Sequence, residues 1–259
     1  MRVRRKILAC GGAGRNRRAG YALVGQRNGR AKRGFMTQEK WTAVDNYIKE
    51  MLISSDPVLD EVLEVSEAAG LPMHNVSPTE GKLLMLLAQL QGARSILEIG
   101  TLGGYSTIWL ARSLPADGCL ITLEASPKHA EIARENIERA GLSERVELRQ
   151  GQALDILPKL ETERRGPFDM IFIDADKGNN PAYFQWALRL SKRGSLIVVD
   201  NVVRGGAVNE GSSNDPSVRG VRNFFDSVAR EPRVSATALQ TVGIKGYDGM
   251  AIVLVTADP

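Results

Sequence analysis

Residues 168–201 read FDMIFIDADKGNNPAYFQWALRLSKRGSLIVVDN, and this stretch decides the fold. It contains two apolar runs rich in β-branched residues, Met170–Ile173 and Ser195–Val199, each followed by an acid. Between them, Pro181–Leu190 has the periodicity of a helix, with a proline at its start and Gly194 past its end. The stretch therefore predicts a strand, a helix and a second strand parallel to the first.

The same alternation of strand and helix extends towards the N-terminus as far as Arg94. Near the C-terminus, two further strand patterns, Ala236–Val242 and Met250–Thr256, flank a turn-rich segment at 243–249, which predicts an antiparallel hairpin at the sheet edge. We therefore predict an α/β fold, a doubly wound Rossmann-like sheet that is mostly parallel. Between Arg94 and the opening stretch, we predict three strands that alternate with three helices. The strands are Ser95–Ile99, Cys119–Leu123 and Val146–Arg149, and the helices are Tyr105–Ser113, Pro127–Ala140 and Ala153–Leu160.

Charge divides the chain into two parts. Residues 1–35 hold eleven of the 34 basic residues and none of the 30 acidic ones, so residues 36–259 have a formal charge of −7. We predict a basic, disordered extension at 1–35. Three origins remain open for it: an upstream addition before a natural Met36, a transit-like segment, or a functional basic arm. Residues 36–259 form one predicted domain, in which 36–75 supply cap helices.

Composition also indicates which binding partners and which cellular compartment to expect. The acidic body gives little support for nucleic-acid binding. No apolar run approaches the roughly 20 residues of a membrane helix, so we expect no membrane partner. Cys10 and Cys119 fit neither a disulfide framework nor a zinc spacing, which suits a reducing cytoplasm. Cys119 is predicted to be a small core residue.

A glycine turn follows the first predicted strand, in the segment Glu98-Ile-Gly-Thr-Leu-Gly-Gly-Tyr-Ser106. Glu124 ends the next strand, where a carboxylate can accept hydrogen bonds from both hydroxyls of a ribose. Dinucleotide enzymes and S-adenosylmethionine enzymes share this layout. The spacing G-x-x-G-G, with Glu98 just before the turn, disfavours a pyrophosphate and favours a cationic ligand such as a methionine ammonium.

Oxygen-bearing side chains follow two neighbouring predicted strands, at Asp174 and at Asp200–Asn201. Because the carboxyl ends of parallel strands meet at one sheet edge, these three side chains form a candidate seat for Mg²⁺, Mn²⁺ or Ca²⁺. The chain has only two histidines, so an imidazole site for zinc or iron is not expected. Lys177 lies three residues past Asp174, and its amine can return to the same site as a general base.

Three alternatives from other classes remain open on this reasoning. One is a nicotinamide-dependent oxidoreductase, and another is a non-catalytic protein that binds a small ligand. A nucleic-acid methyltransferase is the third, although its Asn- or Asp-Pro-Pro-aromatic motif is absent where this chain has Asp174-Ala-Asp-Lys177.

Together these motifs resemble the cation-dependent O-methyltransferases of the caffeoyl-CoA and catechol type, from about Met36 to the C-terminus. Their bacterial members have stretches similar to Lys177–Tyr183, Asp200–Arg204 and Gln240–Gly243. The resemblance implies transfer of a methyl group from S-adenosylmethionine to a hydroxyl of a catechol-like aromatic molecule, with a divalent cation. It also implies a homodimer.

Carried over by position, the resemblance implies a role for each matching residue. Asp174, Asp200 and Asn201 hold the metal, while Lys177 and Asp174 are the catalytic residues. Plant caffeoyl-CoA enzymes have Trp and Asn where this chain has Arg204 and Gly205, so a coenzyme A thioester is not expected as substrate. The walls of the substrate pocket are expected from the N-terminal helices and from Val202–Pro216. The implied contacts to S-adenosylmethionine are Val76, Glu98, Gly100, Thr101, Ser106, Glu124, Ala153, Asp174 and Asp176.

Overall fold

The computed structural model describes residues 37–258, so the predictions for the basic extension at 1–35 and for Cys10 lie outside the described residues. Seven strands form one sheet in the order β3-β2-β1-β4-β5-β7-β6. The first five are parallel, β7 is antiparallel to β5, and β6 is antiparallel to β7. The predicted α/β fold is confirmed. The strands are β1 Ser95–Ile99, β2 Cys119–Glu124, β3 Val146–Gln150, β4 Phe168–Ile173, β5 Ser191–Val199, β6 Val234–Gly243 and β7 Gly246–Val255.

Helices cover both faces of the sheet, and each face has its own apolar core. One core joins the helices before and after β1 to the sheet, and the other joins the helices that follow β3, β4 and β5. Within 37–258, no helix is long and apolar enough to cross a membrane. The helices are α1 Gln38–Leu52, α2 Pro57–Ala68, α3 Pro78–Gln91, α4 Tyr105–Ser113, α5 Pro127–Arg139, α6 Ala153–Thr162, α7 Asn180–Arg189 and α8 Pro216–Arg230.

Local sequence signals explain where the N-terminal helices begin. Asp56 accepts hydrogen bonds from the backbone N–H groups of Val58 and Leu59 and so caps α2. Ser77 and Glu80 form a capping box at the start of α3, in which each side chain accepts from the other residue's N–H. Two of the three N-terminal helices, α2 and α3, therefore start at residues whose side chains cap them.

Two details differ from the predictions. Gly243 pairs with Gly246, so the hairpin turn consists of Ile244 and Lys245 rather than 243–249. Gly246 takes a φ of +95°, which glycine adopts without strain and which lets the strands continue almost to the turn. Cys119 is exposed rather than buried, because it is the first residue of β2 and lies at the amino end of the sheet.

Register fixes which residues meet at the carboxyl edge. Ile173 of β4 pairs with Ile99 of β1 on one side and with Val199 of β5 on the other. The residues that follow these three strands therefore emerge side by side. Since Val199 also pairs with Ala251 of β7, the turn of the terminal hairpin projects beyond this same edge.

Candidate active site

A cavity of about 910 Å³ runs along the carboxyl edge of the sheet. Its lining follows the strand order, so the cavity has two ends with a middle between them. The middle is formed by residues that follow β4 and β5, namely Asp174, Lys177, Asp200 and Asn201, and we call it the acidic middle. We call one end the glycine end, lined by Gly100, Thr101, Gly103, Glu124, Gly151 and Ala153, and the other the hairpin end, lined by Asp45, Arg204, Thr241, Val242, Lys245 and Asp248.

The turn after β1 lies against the end of β4. Gly100 has a φ of +102°, and a Cβ there would lie 2.2 Å from the carbonyl oxygen of Asp174. Only glycine allows this approach, which brings the floor of the glycine end next to the acidic middle. One oxygen of Glu124 accepts hydrogen bonds from the N–H groups of Thr101 (3.3 Å) and Leu102 (2.8 Å). Glu124 therefore holds the glycine turn in place and lines the cavity at the same time.

Glu98 lies beneath the cavity rather than in it. Its side chain is fully buried and accepts hydrogen bonds from three hydroxyls, those of Ser106, Thr107 and Thr122. Burial raises the pKa of this carboxyl to about 7, although the three hydroxyls lower it. Ser106 lines the cavity and lies between Glu98 and its interior. Any influence of Glu98 on a bound ligand is therefore transmitted through Ser106 or through the charge of the carboxylate.

The acidic middle brings together the oxygen donors predicted after β4 and β5. Burial and then the charges of Asp174 and Glu80 raise the pKa of Asp200 well above its ordinary value. This crowding of carboxylates is relieved in part by Lys177, whose Nζ donates to Asp174 Oδ1 at 2.6 Å in a largely buried ion pair. Asn201 takes a φ of +55°, a left-handed conformation that asparagine tolerates better than most residues.

These donors fit a hard cation. Within 37–258 no group of three or more His, Cys, Asp or Glu side chains is arranged to hold a metal. The proposed third donor here is an amide, that of Asn201. Two carboxylates and an amide oxygen are ligands of the kind that Mg²⁺ and Ca²⁺ prefer. Burial, and then the negative charges of Asp174 and Glu80, raise the pKa of Asp200, and a bound cation would favour its charged form against both effects.

Every predicted site residue except Glu98 lines this cavity. Val76 lies just before α3 and is almost fully buried, and Ala153 begins α6. Asp176 accepts a hydrogen bond from the Tyr183 hydroxyl and another from Asn179 Nδ2 at 2.7 Å. The structure thus gathers residues from 76 to 201 around one cavity, as the sequence predicts.

The hairpin end contains residues that the sequence did not reveal. Asp45 of α1 accepts hydrogen bonds from the Thr79 hydroxyl (2.8 Å) and from the N–H of Ile244 (2.9 Å). Lys245 donates to the carbonyl oxygen of Met73 at 2.6 Å. These contacts join the hairpin turn to α1 and to the segment before α3, across more than 150 residues of sequence. No local pattern predicts them, since the partners are specified only by the folded sheet.

Known proteins share this architecture. The sequence matches the family model described as O-methyltransferase over residues 49–255. It is 53% identical over 220 residues to a catechol O-methyltransferase of Niastella koreensis, which covers 85% of this chain and all of that protein. A catechol O-methyltransferase of Mycobacterium tuberculosis is 52% identical over 212 residues, which is 82% of this chain and 94% of that protein.

Solved structures that are similar to this chain are also O-methyltransferases. An O-methyltransferase from Bacillus cereus in complex with SAH has 63% sequence identity and a TM-score of 0.84, and the match covers 85% of this chain and 100% of that one. The O-methyltransferase TomG from Streptomyces achromogenes, in complex with SAM, has 50% identity and a TM-score of 0.83, with 86% and 100% covered.

The sheet, its glycine turn and the cavity at its carboxyl edge are those of a Rossmann-like methyltransferase. The chain belongs to the O-methyltransferase family, and it is an S-adenosylmethionine-dependent O-methyltransferase. Membership of this family decides against the nicotinamide-dependent oxidoreductase and the non-catalytic binding protein.

Proposed function

We propose that this enzyme methylates a hydroxyl of a catechol-like molecule, an aromatic ring with two adjacent hydroxyls, and that a divalent cation, Mg²⁺ or alternatively Mn²⁺ or Ca²⁺, assists the reaction. The observation that carries the proposal is the acidic middle of the cavity, where Asp174, Asp200 and Asn201 lie between the two ends. Two relatives that share more than half of the aligned residues are named catechol O-methyltransferases, which supports the same substrate class.

The cation would be held by Asp174, Asp200 and Asn201. When bound there, it would supply Lewis-acid chemistry that favours ionisation of an acceptor hydroxyl. The residues present prepare this site, because β4 and β5 are in register and place Asp174 and Asp200 on adjacent strand ends. The left-handed backbone at Asn201 turns the chain directly after β5.

Lys177 is the proposed general base. It lies in a short 3₁₀ turn after β4, where only 7% of the residue is exposed, and its Nζ is held beside Asp174. An acceptor hydroxyl close to Asp174 would therefore lie close to this amine. In its neutral form this amine could accept the proton of that hydroxyl.

The glycine end is the proposed seat of S-adenosylmethionine, whose sulfonium methyl is the group transferred. Glu124 lies at the end of β2, where it can accept hydrogen bonds from the ribose hydroxyls. Gly100, Thr101, Ser106 and Ala153 line the same end, and Val76 and Asp176 border it. Glu98 is proposed to act on the methionine ammonium through Ser106 and through its charge.

The cation requirement is tested with the variant Asp200→Asn and with EDTA. We expect both to reduce kcat on a catechol by at least about 100-fold, since alignment and polarisation of the acceptor are lost. SAH binding, measured by calorimetry, should persist, and Asp226→Asn on the exposed face of α8 is the matched control. Full activity in excess EDTA would refute the cation, and absence of methyl transfer to any catechol with Mg²⁺ would refute the substrate class.

A homodimer is proposed as the assembly. None of the residues of α1 is buried, and its exposed side chains include Val44, Tyr47, Met51 and Leu52. An apolar helix face of this kind is typical of a subunit contact. Light scattering should give twice the mass of the chain, and a monomeric mass would contradict the proposal. A cytoplasmic location stays a prediction.

A further inference from the structure

The hairpin end holds two cationic side chains that the reaction as proposed does not use. Arg204 follows Asn201 by three residues, and Lys245 lies in the turn between β6 and β7. Both line the cavity. Because the lining follows the strand order, they lie on the side of the acidic middle opposite to the glycine end. This is the side left for the methyl acceptor when S-adenosylmethionine occupies the glycine end.

The hydrogen-bonding capacity of these cations is largely unused. Arg204 Nε is buried and has no hydrogen-bond partner within residues 37–258. The nearest carboxylate to the guanidinium is that of Asp248, whose Oδ2 is 4.0 Å from Nη1, too far for a hydrogen bond. Lys245 donates to one carbonyl oxygen, that of Met73. A buried guanidinium nitrogen without an acceptor is costly unless a ligand supplies one.

The carboxylates at this end are already committed to other donors. Asp248 Oδ1 accepts hydrogen bonds from the N–H groups of Val203 and Arg204, both at 2.9 Å. Asp45 accepts from Thr79 and Ile244, as described above. These two carboxylates therefore hold the loop after β5 and the hairpin turn in position. Within residues 37–258, neither carboxylate accepts a hydrogen bond from the side chain of Arg204 or Lys245.

We propose that the methyl acceptor is a catechol that bears a carboxylate, and that Arg204 and Lys245 bind this carboxylate. The proposal rests on the proposed function, because the two catechol oxygens must lie in the acidic middle for the substituent to reach the hairpin end. A planar guanidinium matches a carboxylate with two parallel N–H···O bonds, and an ammonium adds a third donor. Apolar side chains of the same wall, such as Ile48 and Val242, would contact the ring or its linker.

The test compares a matched pair of acceptors on the full-length enzyme with Mg²⁺. The pair is 3,4-dihydroxybenzoate and its neutral amide, 3,4-dihydroxybenzamide, which differ in charge but hardly in shape. We expect wild-type kcat/KM to favour the acid by about 10-fold or more, the size of a charge-assisted hydrogen bond. Lys245→Gln and Arg204→Gln should each reduce the preference, and the double variant should abolish it; the readout is the ratio of kcat/KM for the acid to kcat/KM for the amide.

The controls separate recognition from folding. Arg189→Gln, at a surface ion pair with Glu161, removes a positive charge far from the cavity and should leave the preference unchanged. Arg204→Lys should keep part of the preference, because it keeps the charge. SAH binding by each variant verifies the fold, and Lys245 lies in a two-residue turn where glutamine is easily accommodated.

The outcomes distinguish the two proposals. Equal turnover of acid and amide by the wild type overturns the carboxylate proposal and leaves the proposed function intact. An acid preference that survives in the double variant also overturns it. Absence of methyl transfer to both acceptors, with transfer to unsubstituted catechol retained, overturns this inference alone, whereas absence of transfer to catechol as well overturns the proposed function.

Discussion

The buried carboxyl of Glu98 predicts an unusual dependence of stability on pH. Burial raises its pKa from 4.5 to about 7 in the folded enzyme. The neighbouring groups affect this pKa less than burial does. The charge of Asp174 raises it by a smaller amount, and the hydrogen bonds from the hydroxyls of Ser106, Thr107 and Thr122 lower it. Because the folded state binds this proton more tightly than the unfolded chain, the stabilisation is complete below pH 4.5 and is lost as the pH rises through 7.

The magnitude follows from about 1.4 kcal/mol per pKa unit. A rise from 4.5 to about 7 corresponds to a loss of about 3 kcal/mol of unfolding free energy at high pH, of which about 2.5 kcal/mol falls between pH 5 and pH 8. Glu98→Gln cannot ionise, so its stability should lack this component. The difference between wild type and variant should therefore change by about 2.5 kcal/mol over that interval, in favour of the variant at pH 8.

The assay is urea unfolding of both proteins at several pH values between 5 and 8, in EDTA and without SAM or SAH. Glu163→Gln is the matched control: the Arg149 guanidinium lowers the pKa of that exposed carboxyl below 4.5, so its ionisation does not change between pH 5 and pH 8 and the profile of this variant should parallel that of the wild type. Absolute stabilities are not the readout, since glutamine changes the hydrogen bonds to the three hydroxyls. Parallel profiles for wild type and Glu98→Gln would refute the reasoning and would mean that the hydroxyls outweigh the cost of burial.

Three further predictions concern the acidic middle and the elements that support it. Lys177→Met should lower kcat by about 100-fold or more and leave SAH binding intact, whereas Lys192→Met, at a surface pair with Asp169, should change neither; equal activity would eliminate Lys177 as the base. Gly220→Ala should cost about 1–3 kcal/mol of stability and lower kcat, because a Cβ there would lie 2.0 Å from the Lys177 carbonyl oxygen. Gly211→Ala is the control, since its Cβ would meet only the Arg222 side chain at 3.6 Å, and it should change neither urea unfolding nor turnover. Asn201→Gly should abolish cation-dependent turnover without loss of thermal stability, since glycine adopts the left-handed φ of +55° freely; loss of both would show that the amide supports the fold rather than the cation.

The sequence predicts the sheet and the middle of the cavity well, for a physical reason. Strands β4 and β5 end in buried apolar runs, Met170–Ile173 and Leu196–Val199, and the first polar residue after each run marks the end of the strand. Asp174 and Asp200 therefore mark their own strand ends. Parallel pairing then places them side by side without any further information, because adjacent strands in register end at the same edge.

Glu98 shows where such reasoning is incomplete. Its position at the end of β1 is visible in the sequence, but its surroundings are not. Thr107 and Thr122 belong to α4 and β2, and they approach Glu98 only after both elements pack against β1. A sequence pattern therefore locates the carboxylate near the ligand without showing that it lies below the cavity surface.

The terminal hairpin is harder to predict, because β6 is mostly exposed, β7 is buried mainly in its second half, and neither shows a clear alternation. The sequence pattern predicts too long a turn at Ile244 and Lys245, and it does not predict the place of this turn beside the cavity. That place depends on the pairing of β7 with β5, a contact between residues more than 50 positions apart.

The two ends of the cavity are consequently built in different ways. At the glycine end, the side chains project from turns whose neighbours are buried strands, and a Cβ at Gly100 would meet backbone. At the hairpin end, α1 has no buried residue and is tied to the turn by the polar contacts of Gln38 and Asp45. Exposed polar contacts stabilise less than buried apolar ones, so the hairpin end is the part of the cavity with the lower local stability. Substitutions that alter the choice of acceptor should therefore be tolerated there at little cost in stability, whereas substitutions at the glycine end should reduce stability and cofactor binding together.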